Sequence, residues 1–407
     1  MGEGLATLAW LDFASWDRER ALDIIAQLRE KETRDELGIG TIRDAFSDRL
    51  FPGTSTLQTR ARYFLFVPWI YRDLEGRKTA SSDFATKARR VELRLSEELL
   101  AAGEVAGVIG RVAGRQLKRL PSSIYWLGLE AWGIKVDGRS QSDYHRAIDR
   151  WYASRGDAER LMKGDEGEQR RLGNWDSRVP AAPEGFPADV TFDLTEEEAN
   201  YLHDKVGGRH PDSLLFRMLN HESGVADAGT PWDWDGLSDA PAKLRELMDH
   251  ARNFSVVMEG AASLYNLMLA EIAEATRANT DSYRKLVSSW GERLSEHRSD
   301  LAQWDLAAFR RQLDQMELAP GGTARQFVDQ WIQIALNQTA DQIAESKSAR
   351  ALIQQRELRL KGGLARLRGG RPLDMWRGSS GLGALAYRWH RVSQIVIDIR
   401  LGLGKEP

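Results

Sequence analysis

The chain has 407 residues, 42% of them apolar and 14 of them tryptophan, which predicts a folded protein of two or three domains. It contains no cysteine, which excludes disulfides, thiol nucleophiles and zinc sites with cysteine ligands. The net charge of −3 combines two opposite segments: residues 186–250 hold 14 Asp or Glu against 5 Lys or Arg, and residues 345–407 hold 13 Lys or Arg against 5 Asp or Glu. Such a split steers a polyanion to one segment and a basic partner to the other, unless the two segments pair with each other or stay solvated.

Most predicted elements of the first half are helices. A weak alternation of apolar and polar residues at 5–13 predicts a short strand. Capping signals with apolar periodicity predict a helix that begins at 55 and runs into the aromatic residues 63–71. The same signals predict further helices at 15–36, 41–50, 85–102, 104–120 and 141–154. Pro68 is expected to kink the helix of the aromatic run or to end it near Val67. Residues 122–134 fit either a strand or a helix.

The second half continues the helical pattern. A capping box at Thr195 and Glu198 begins it, further helices are predicted within 242–295, 307–316, 324–336 and 343–367, and clustered Val and Ile at 391–399 predict a strand. The predicted fold is mainly α, a multi-helix two-domain protein with a few short strands. Loop-like composition at 155–187 sets the boundary, which gives an N-terminal helical domain at 1–155, a linker or extended loop at 156–190 and a C-terminal helical domain at 191–407.

Two features favour a cytoplasmic protein without membrane contact. Nothing near Met1 resembles a signal peptide. The most apolar stretch, 254–273, carries Glu259 and Glu271, which is typical of a buried helix in a soluble domain.

Residues 54–62, with the sequence TSTLQTRAR, gather hydroxyls and two arginines where a helix is predicted to begin. Free backbone N–H groups, hydroxyls and guanidinium groups bind phosphate at such places. The predicted anion-binding residues are Ser55, Thr56, Thr59, Arg60 and Arg62. The alternative is an ordinary capped helix whose arginines pair with Asp44, Asp48 or Asp73.

Residues 107–125 are uniformly basic, since no acidic residue lies between Glu104 and Glu130. The cations fall at i, i+4, i+7 and i+8, so a helix would carry them on one face, and a Pro-Ser-Ser helix start follows. The predicted nucleic-acid contacts are Arg111, Arg115, Lys118, Arg119, Ser122 and Ser123. The alternative is a solvated basic helix face.

Residues 347–377, which we name the Arg–Gly segment, form a second basic stretch interrupted by two Gly-Gly pairs. Arginines, glycines and nearby aromatic residues suit a phosphate backbone with exposed bases. The predicted contacts are Arg350, Arg356, Arg359, Lys361, Arg366, Arg368 and Arg371. The alternative is a helix that docks onto an acidic partner.

Sequence signatures of catalysis are missing from the chain. There is no phosphate-binding G-x-x-x-x-G-K-[ST] loop and no H-E-x-x-H zinc motif. We therefore predict no catalytic residue, no metal ligand and no cofactor.

Four regions resemble a bacterial family of unknown function. The N-terminal region contains LAWLDF, RERALDII and REKETRDELGIGTIRDAFSDRLFPGTSTLQTRARYFLFVPWIY, and the other three are RQLKRLPSSIYWLGLEAWGI, ARNFSVVMEGAASLYNLMLAE and LGALAYRWHRVSQIVIDIRLGL. The resemblance covers essentially the whole chain. It implies a place in anti-phage defence islands, beside genes for a superfamily-2 helicase and a phospholipase-D-like nuclease. It transfers no catalytic residue, because none is defined for the family.

Together these features predict a non-catalytic nucleic-acid-binding subunit of a defence complex, with DNA as the expected ligand and a helicase or nuclease as partner. Two alternatives remain open at this point. One is a scaffold that binds proteins through the acidic and basic segments and does not contact nucleic acid. The other is a nuclease of unfamiliar design.

Overall fold

The computed structural model describes residues 36–161, 173–273, 280–315 and 321–407, without the side chains of 156–161. The predicted strand at 5–13 and nearly all of the predicted helix at 15–36 lie outside these residues. Within them the protein is mainly helical, and an isolated antiparallel bridge between Lys135 and Trp175 is the β pairing that this part of the chain contains. The predicted mainly α class is confirmed.

The chain divides into two compact units, each assembled from separate stretches of sequence. Unit 1 comprises Met1–Ala45 and His250–Leu385, and unit 2 comprises Phe46–Asp249 and Ala386–Pro407. Compact units are not the same as independently folding domains, so the predicted division into 1–155, 156–190 and 191–407 stays a prediction.

Two helices have residues in both units, and each of the other helices lies within a single unit. The shared helices are α1 (Gly40–Leu50) and α8 (Ala242–Ala273). Unit 2 contains α2 (Tyr63–Gly76), α3 (Ser81–Ala101), α4 (Pro121–Ala131), α5 (Gln141–Leu161), α6 (Glu196–Arg209), α7 (Leu214–Asn220) and α16 (Trp389–Gly402). Unit 1 contains α9 (Thr280–Glu296), α10 (Arg298–Ala302), α11 (Leu306–Asp314), α12 (Gly322–Asn337), α13 (Ala340–Glu345), α14 (Lys347–Lys361) and α15 (Arg371–Asp374).

Helix α2 forms the centre of unit 2, because every residue from Tyr63 to Tyr71 is buried. It packs against α3 and α4. Phe64 stacks on Trp132 with ring centroids 3.8 Å apart. The helix continues through Pro68 to Gly76, so the expected end near Val67 is wrong. Burial of this aromatic helix outweighs the hydrogen bond that Pro68 removes, which costs about 3 kcal/mol in an exposed helix.

The C-terminal Val and Ile cluster is helical, which overturns the predicted strand at 391–399. Val392, Ile395, Val396 and Ile399 are all buried. Their spacing of i, i+3, i+4 and i+7 places them on one face of α16, which packs against α6 and α7. Tertiary burial of that face outweighs the strand preference of β-branched residues. The ambiguous stretch at 122–134 is likewise mostly helix, as α4.

In unit 1, α8 supplies the central buried surface. Trp290 and Trp331 are buried, and their indole N–H groups donate to the carbonyls of Val256 and Val257, each at 2.8 Å. Gly260 allows this approach, because a Cβ there would lie 2.2 Å from the Trp290 ring. Helix α8 is long and apolar enough to cross a membrane, yet 72% of its most apolar stretch is buried inside the protein. The cytoplasmic location stays a prediction.

Candidate nucleic-acid interface

Residues 54–62 do not begin a helix, which corrects the prediction for this motif. They form turns, and α2 starts at Tyr63. The backbone N–H of Ser55 donates to the Gln58 side chain at 3.1 Å, as in a capping box. The backbone N–H groups of Thr59 and Arg60 both donate to the Tyr125 hydroxyl, at 2.8 and 3.1 Å. These donors are therefore used to fix the chain against α4.

The two arginines of this motif pair with carboxylates of the protein itself. Asp398 of α16 accepts from the Arg60 guanidinium at 2.9 Å and from the Ala61 backbone N–H at 2.8 Å. Arg62 donates to Glu198 of α6 at 2.8 Å. Burial raises the pKa of Asp398, and the contacts with Arg60 and Ala61 act in the opposite direction. Arg60 and Arg62 therefore join distant parts of unit 2.

The rest of the predicted anion site has little left to offer a ligand. Thr59 donates its hydroxyl to the Gly107 carbonyl at 2.6 Å. Ser55 is half-buried and Thr56 is exposed. The anion-binding role of these residues stays a prediction, and nothing in their geometry adds to it.

Residues 103–120, which we name the basic loop, are not the expected helix at 104–120. They form successive turns with one short 3₁₀ helix, Gly114–Gln116. Gly107 has φ +89° and Gly110 has φ +93°, values that an α-helix does not contain. The cations therefore do not share a helical face, although all four of them are exposed: Arg111, Arg115, Lys118 and Arg119.

Contacts from α2 and α3 fix the basic loop. Ser96 donates to the Ile109 carbonyl at 2.8 Å, and the Ile109 N–H donates to the Tyr63 hydroxyl at 3.0 Å. Arg89 donates to the carbonyls of Leu117 and Arg115, both at 2.8 Å. The loop is thus a preformed exposed surface.

The two predicted serines follow the loop and differ from each other. Ser122 is fully buried, and its N–H and hydroxyl donate to the Glu92 carboxylate, each at 2.7 Å. Ser123 is exposed and donates to the Leu120 carbonyl. Ser122 therefore has no access to a phosphate in this conformation, whereas Ser123 lies at the surface.

Glu92 anchors a buried polar chain beneath the basic loop. Gln141 donates to both Ser122 and Tyr71, each at 2.7 Å, and the Tyr71 hydroxyl lies 3.0 Å from Nε2 of His145. Burial raises the pKa of Glu92 to about 7, against the lowering effect of the Ser122 hydrogen bonds. Burial lowers the pKa of His145 to about 4. Glu92, which belongs to α3, thus holds the first turn of α4 and the end of the basic loop in place through Ser122.

In unit 1, four of the predicted cations of the Arg–Gly segment are used internally. Arg350 pairs with Glu271 at 2.5 Å, and Lys361 and Arg366 both pair with Glu36. Arg356 is buried, and it donates to the Leu37 and Gly38 carbonyls and lies over the Phe327 ring. These side chains stabilise unit 1 in this conformation.

The other three predicted contacts of the segment, Arg359, Arg368 and Arg371, are exposed. Two exposed apolar residues, Leu364 and Met375, lie among them. The segment keeps an accessible cationic surface, but a smaller one than the sequence predicts.

Sequence reasoning missed Asp398 and Glu92 because both act on residues far away in the chain. In the sequence, an acidic residue within the apolar run 395–399 is the signal that points to Asp398. Among the described residues, no group of three or more His, Asp or Glu side chains could hold a metal ion.

Residues 5–400 match the profile of a protein family described as "Family of unknown function (DUF6361)". The chain belongs to this family. No curated protein and no solved structure matches this DUF6361 chain.

Proposed function

We propose that the protein is a non-catalytic nucleic-acid-binding subunit of a bacterial anti-phage defence complex, with DNA as its ligand. The observation that carries the proposal is the basic loop of unit 2. It combines four exposed cations with a sequence free of acidic residues from 105 to 129. Arg111, Arg115 and Lys118 have no ion-pair partner among the described residues. An exposed cation without an internal partner is available to a phosphate.

The preformed geometry of the basic loop supports binding. A flexible loop would lose conformational entropy on contact with a ligand, and this loss weakens affinity. Contacts with Tyr63, Arg89 and Ser96 already hold the loop in one conformation. The exposed arginines of the Arg–Gly segment supply a second cationic surface, in unit 1. Phosphate contacts of this kind predict affinity that falls steeply with salt and depends weakly on sequence.

In this proposal the chemistry belongs to partner proteins. The resemblance to a family found in anti-phage defence islands favours a helicase and a phospholipase-D-like nuclease as those partners. The protein would then hold the nucleic acid while the partners act on it.

The test is fluorescence anisotropy of the purified chain with labelled duplex DNA, single-stranded DNA and RNA over a salt series. We expect binding at micromolar concentration or tighter at low salt, with a steep loss as salt rises. Duplex DNA should bind at least as tightly as the other two ligands. Absence of binding to all three ligands at low salt would overturn the proposal.

A scaffold without nucleic-acid contact is the second candidate, and the acidic residues of unit 2 favour it. Of the 14 Asp and Glu in 186–250, most are exposed, among them Glu196, Glu197 and Asp212. Such a surface suits a basic protein partner. Co-purification with a helicase that survives nuclease treatment, together with no DNA affinity of the isolated chain, would favour the scaffold.

A further inference from the structure

The tip of the basic loop carries an apolar side chain that folding does not use. Val112 is 92% exposed, the highest value among the exposed large apolar residues of the described chain. It lies inside a tight turn closed by a hydrogen bond from the Gly114 N–H to the Gly110 carbonyl at 2.7 Å. The three residues inside the turn, Arg111, Val112 and Ala113, are all exposed. Val112 follows Arg111 directly and precedes Arg115 in the sequence, and all three side chains are exposed, so the tip offers a ligand an apolar side chain flanked by cations.

The backbone on both sides of this tip is fixed. Gly110 has φ +93°, and a Cβ there would lie 2.9 Å from the Leu117 side chain, so a side chain is strained at this position. The Arg115 and Leu117 carbonyls accept from Arg89. Val112 is therefore presented on a rigid turn with Arg111 directly before it and Arg115 three residues after it.

We infer that Val112 is a wedge that enters a base step of duplex nucleic acid while Arg111 and Arg115 bind the flanking phosphates. The inference rests on the proposed nucleic-acid function and specifies its ligand as a stacked duplex. Proteins that deform duplexes insert apolar side chains between base pairs and hold the backbone on either side with cations. The wedge partly unstacks the step, and the phosphate contacts stabilise the deformed duplex.

An anionic bilayer is the other surface that attracts cations beside an apolar tip. Stable attachment to a bilayer needs a large apolar area or a lipid chain in addition to basic residues. A single valine side chain supplies much less area than that. A base step, in contrast, accommodates one small side chain, so the geometry favours the duplex.

The experiment measures unwinding of closed circular plasmid DNA, relaxed by a topoisomerase in the presence of the full chain. Wild-type protein should shift the linking number, because a wedge unwinds the step that it enters. The test variant is Val112→Ser, which keeps every charge of the loop. The matched control is Val105→Ser, since Val105 is also exposed, at 55%, and lies in the same loop outside the Gly110–Gly114 turn. Anisotropy with the same DNA is measured in parallel.

We expect Val112→Ser to bind duplex DNA with an unchanged salt dependence and to lose the linking-number shift, while Val105→Ser keeps both. A wild-type protein that binds without unwinding, or a Val112→Ser variant that unwinds like the wild type, overturns the wedge and leaves the proposed function intact. Failure of the wild type to bind any nucleic acid overturns both. Binding to vesicles of phosphatidylserine and phosphatidylcholine that is abolished in Val112→Ser, without duplex unwinding, assigns the tip to a membrane instead.

Discussion

Two buried carboxylates, Asp398 and Glu92, organise unit 2 in different ways. Asp398 pairs with the guanidinium of Arg60 at 2.9 Å, and this pair joins the C-terminal helix to the segment before α2. Glu92 accepts hydrogen bonds from the backbone N–H and the hydroxyl of Ser122, both of which are neutral, and burial raises the pKa of Glu92 to about 7. The first group therefore forms an ion pair, whereas burial, with no paired cation among the described residues, raises the pKa of the second.

Replacing Asp398 with Asn should destabilise unit 2 by about 3 kcal/mol, because it leaves the guanidinium of Arg60 without its buried counter-charge. The matched control is Asp48→Asn. Asp48 also pairs with an arginine, Arg388, at 2.6 Å, but its side chain is 58% exposed, so the loss should stay below about 1 kcal/mol. Urea denaturation followed by tryptophan fluorescence measures both changes. Equal losses in the two variants would contradict the assignment of Asp398 as a structural anion.

Replacing Glu92 with Gln should remove one component of the pH dependence of stability. The folded-state pKa of Glu92 is raised, so the folded protein binds the proton more tightly than the unfolded chain. The contribution of Glu92 to stability is therefore full below about pH 4.5 and is lost as pH rises through about 7. His145, whose pKa is lowered to about 4, acts with the opposite sign over part of this range.

Wild type and Glu92→Gln both contain His145, so the difference between their free energies of unfolding reports the titration of Glu92 alone. The free energy of unfolding of Glu92→Gln, relative to that of the wild type, should rise by up to about 3 kcal/mol between pH 5 and pH 8. Urea denaturation at several pH values measures it. A difference that does not change with pH would show that Glu92 titrates normally in the folded protein.

At the scale of elements, periodicity predicted most of the helices, and the exceptions were decided by glycine turns and by burial. The basic residues at 104–120 have helical spacing, yet Gly107 and Gly110 take positive φ values and turn the chain. Conversely, the Val and Ile at 391–399 have strand preference but form α16, because burial against α6 and α7 decides. For residues 54–62, internal pairing of the arginines was one of the two alternatives, but the partners Asp398 and Glu198 lie more than 100 residues away and were not among those expected.

Two glycines within helices should respond to alanine with opposite signs. Gly260→Ala in α8 would place a methyl group 2.2 Å from the buried Trp290 ring, so we expect a loss of about 1–3 kcal/mol. Gly208→Ala in α6 meets no atom within 4 Å, and alanine is the better helix former, so we expect a gain of up to about 1 kcal/mol. Thermal unfolding measures both variants. Similar changes in both would contradict the close packing of α8 on Trp290.

At the scale of the whole molecule, exposed cations in each of two compact units are the proposed nucleic-acid contacts. Unit 2 supplies the basic loop and unit 1 supplies the exposed arginines of the Arg–Gly segment. The sequence predicted the locations of both basic stretches. It could not predict which cations remain exposed, because partners such as Glu271 and Glu36 lie far from the segment in sequence.

The decisive measurement for the proposed nucleic-acid surface compares duplex DNA binding by two charge-reversal variants over a salt series. Arg111→Glu with Arg115→Glu alters the basic loop, and Lys243→Glu with Lys285→Glu makes the same change in net charge at other exposed positions. The loop variant should bind more weakly. Its plot of log affinity against log salt should be shallower, with the magnitude of the slope reduced by about 2, because each phosphate that the protein no longer neutralises removes about 0.9. The control variant should bind like the wild type. Equal binding by both variants, with both folded, would contradict the assignment of the basic loop as the nucleic-acid surface.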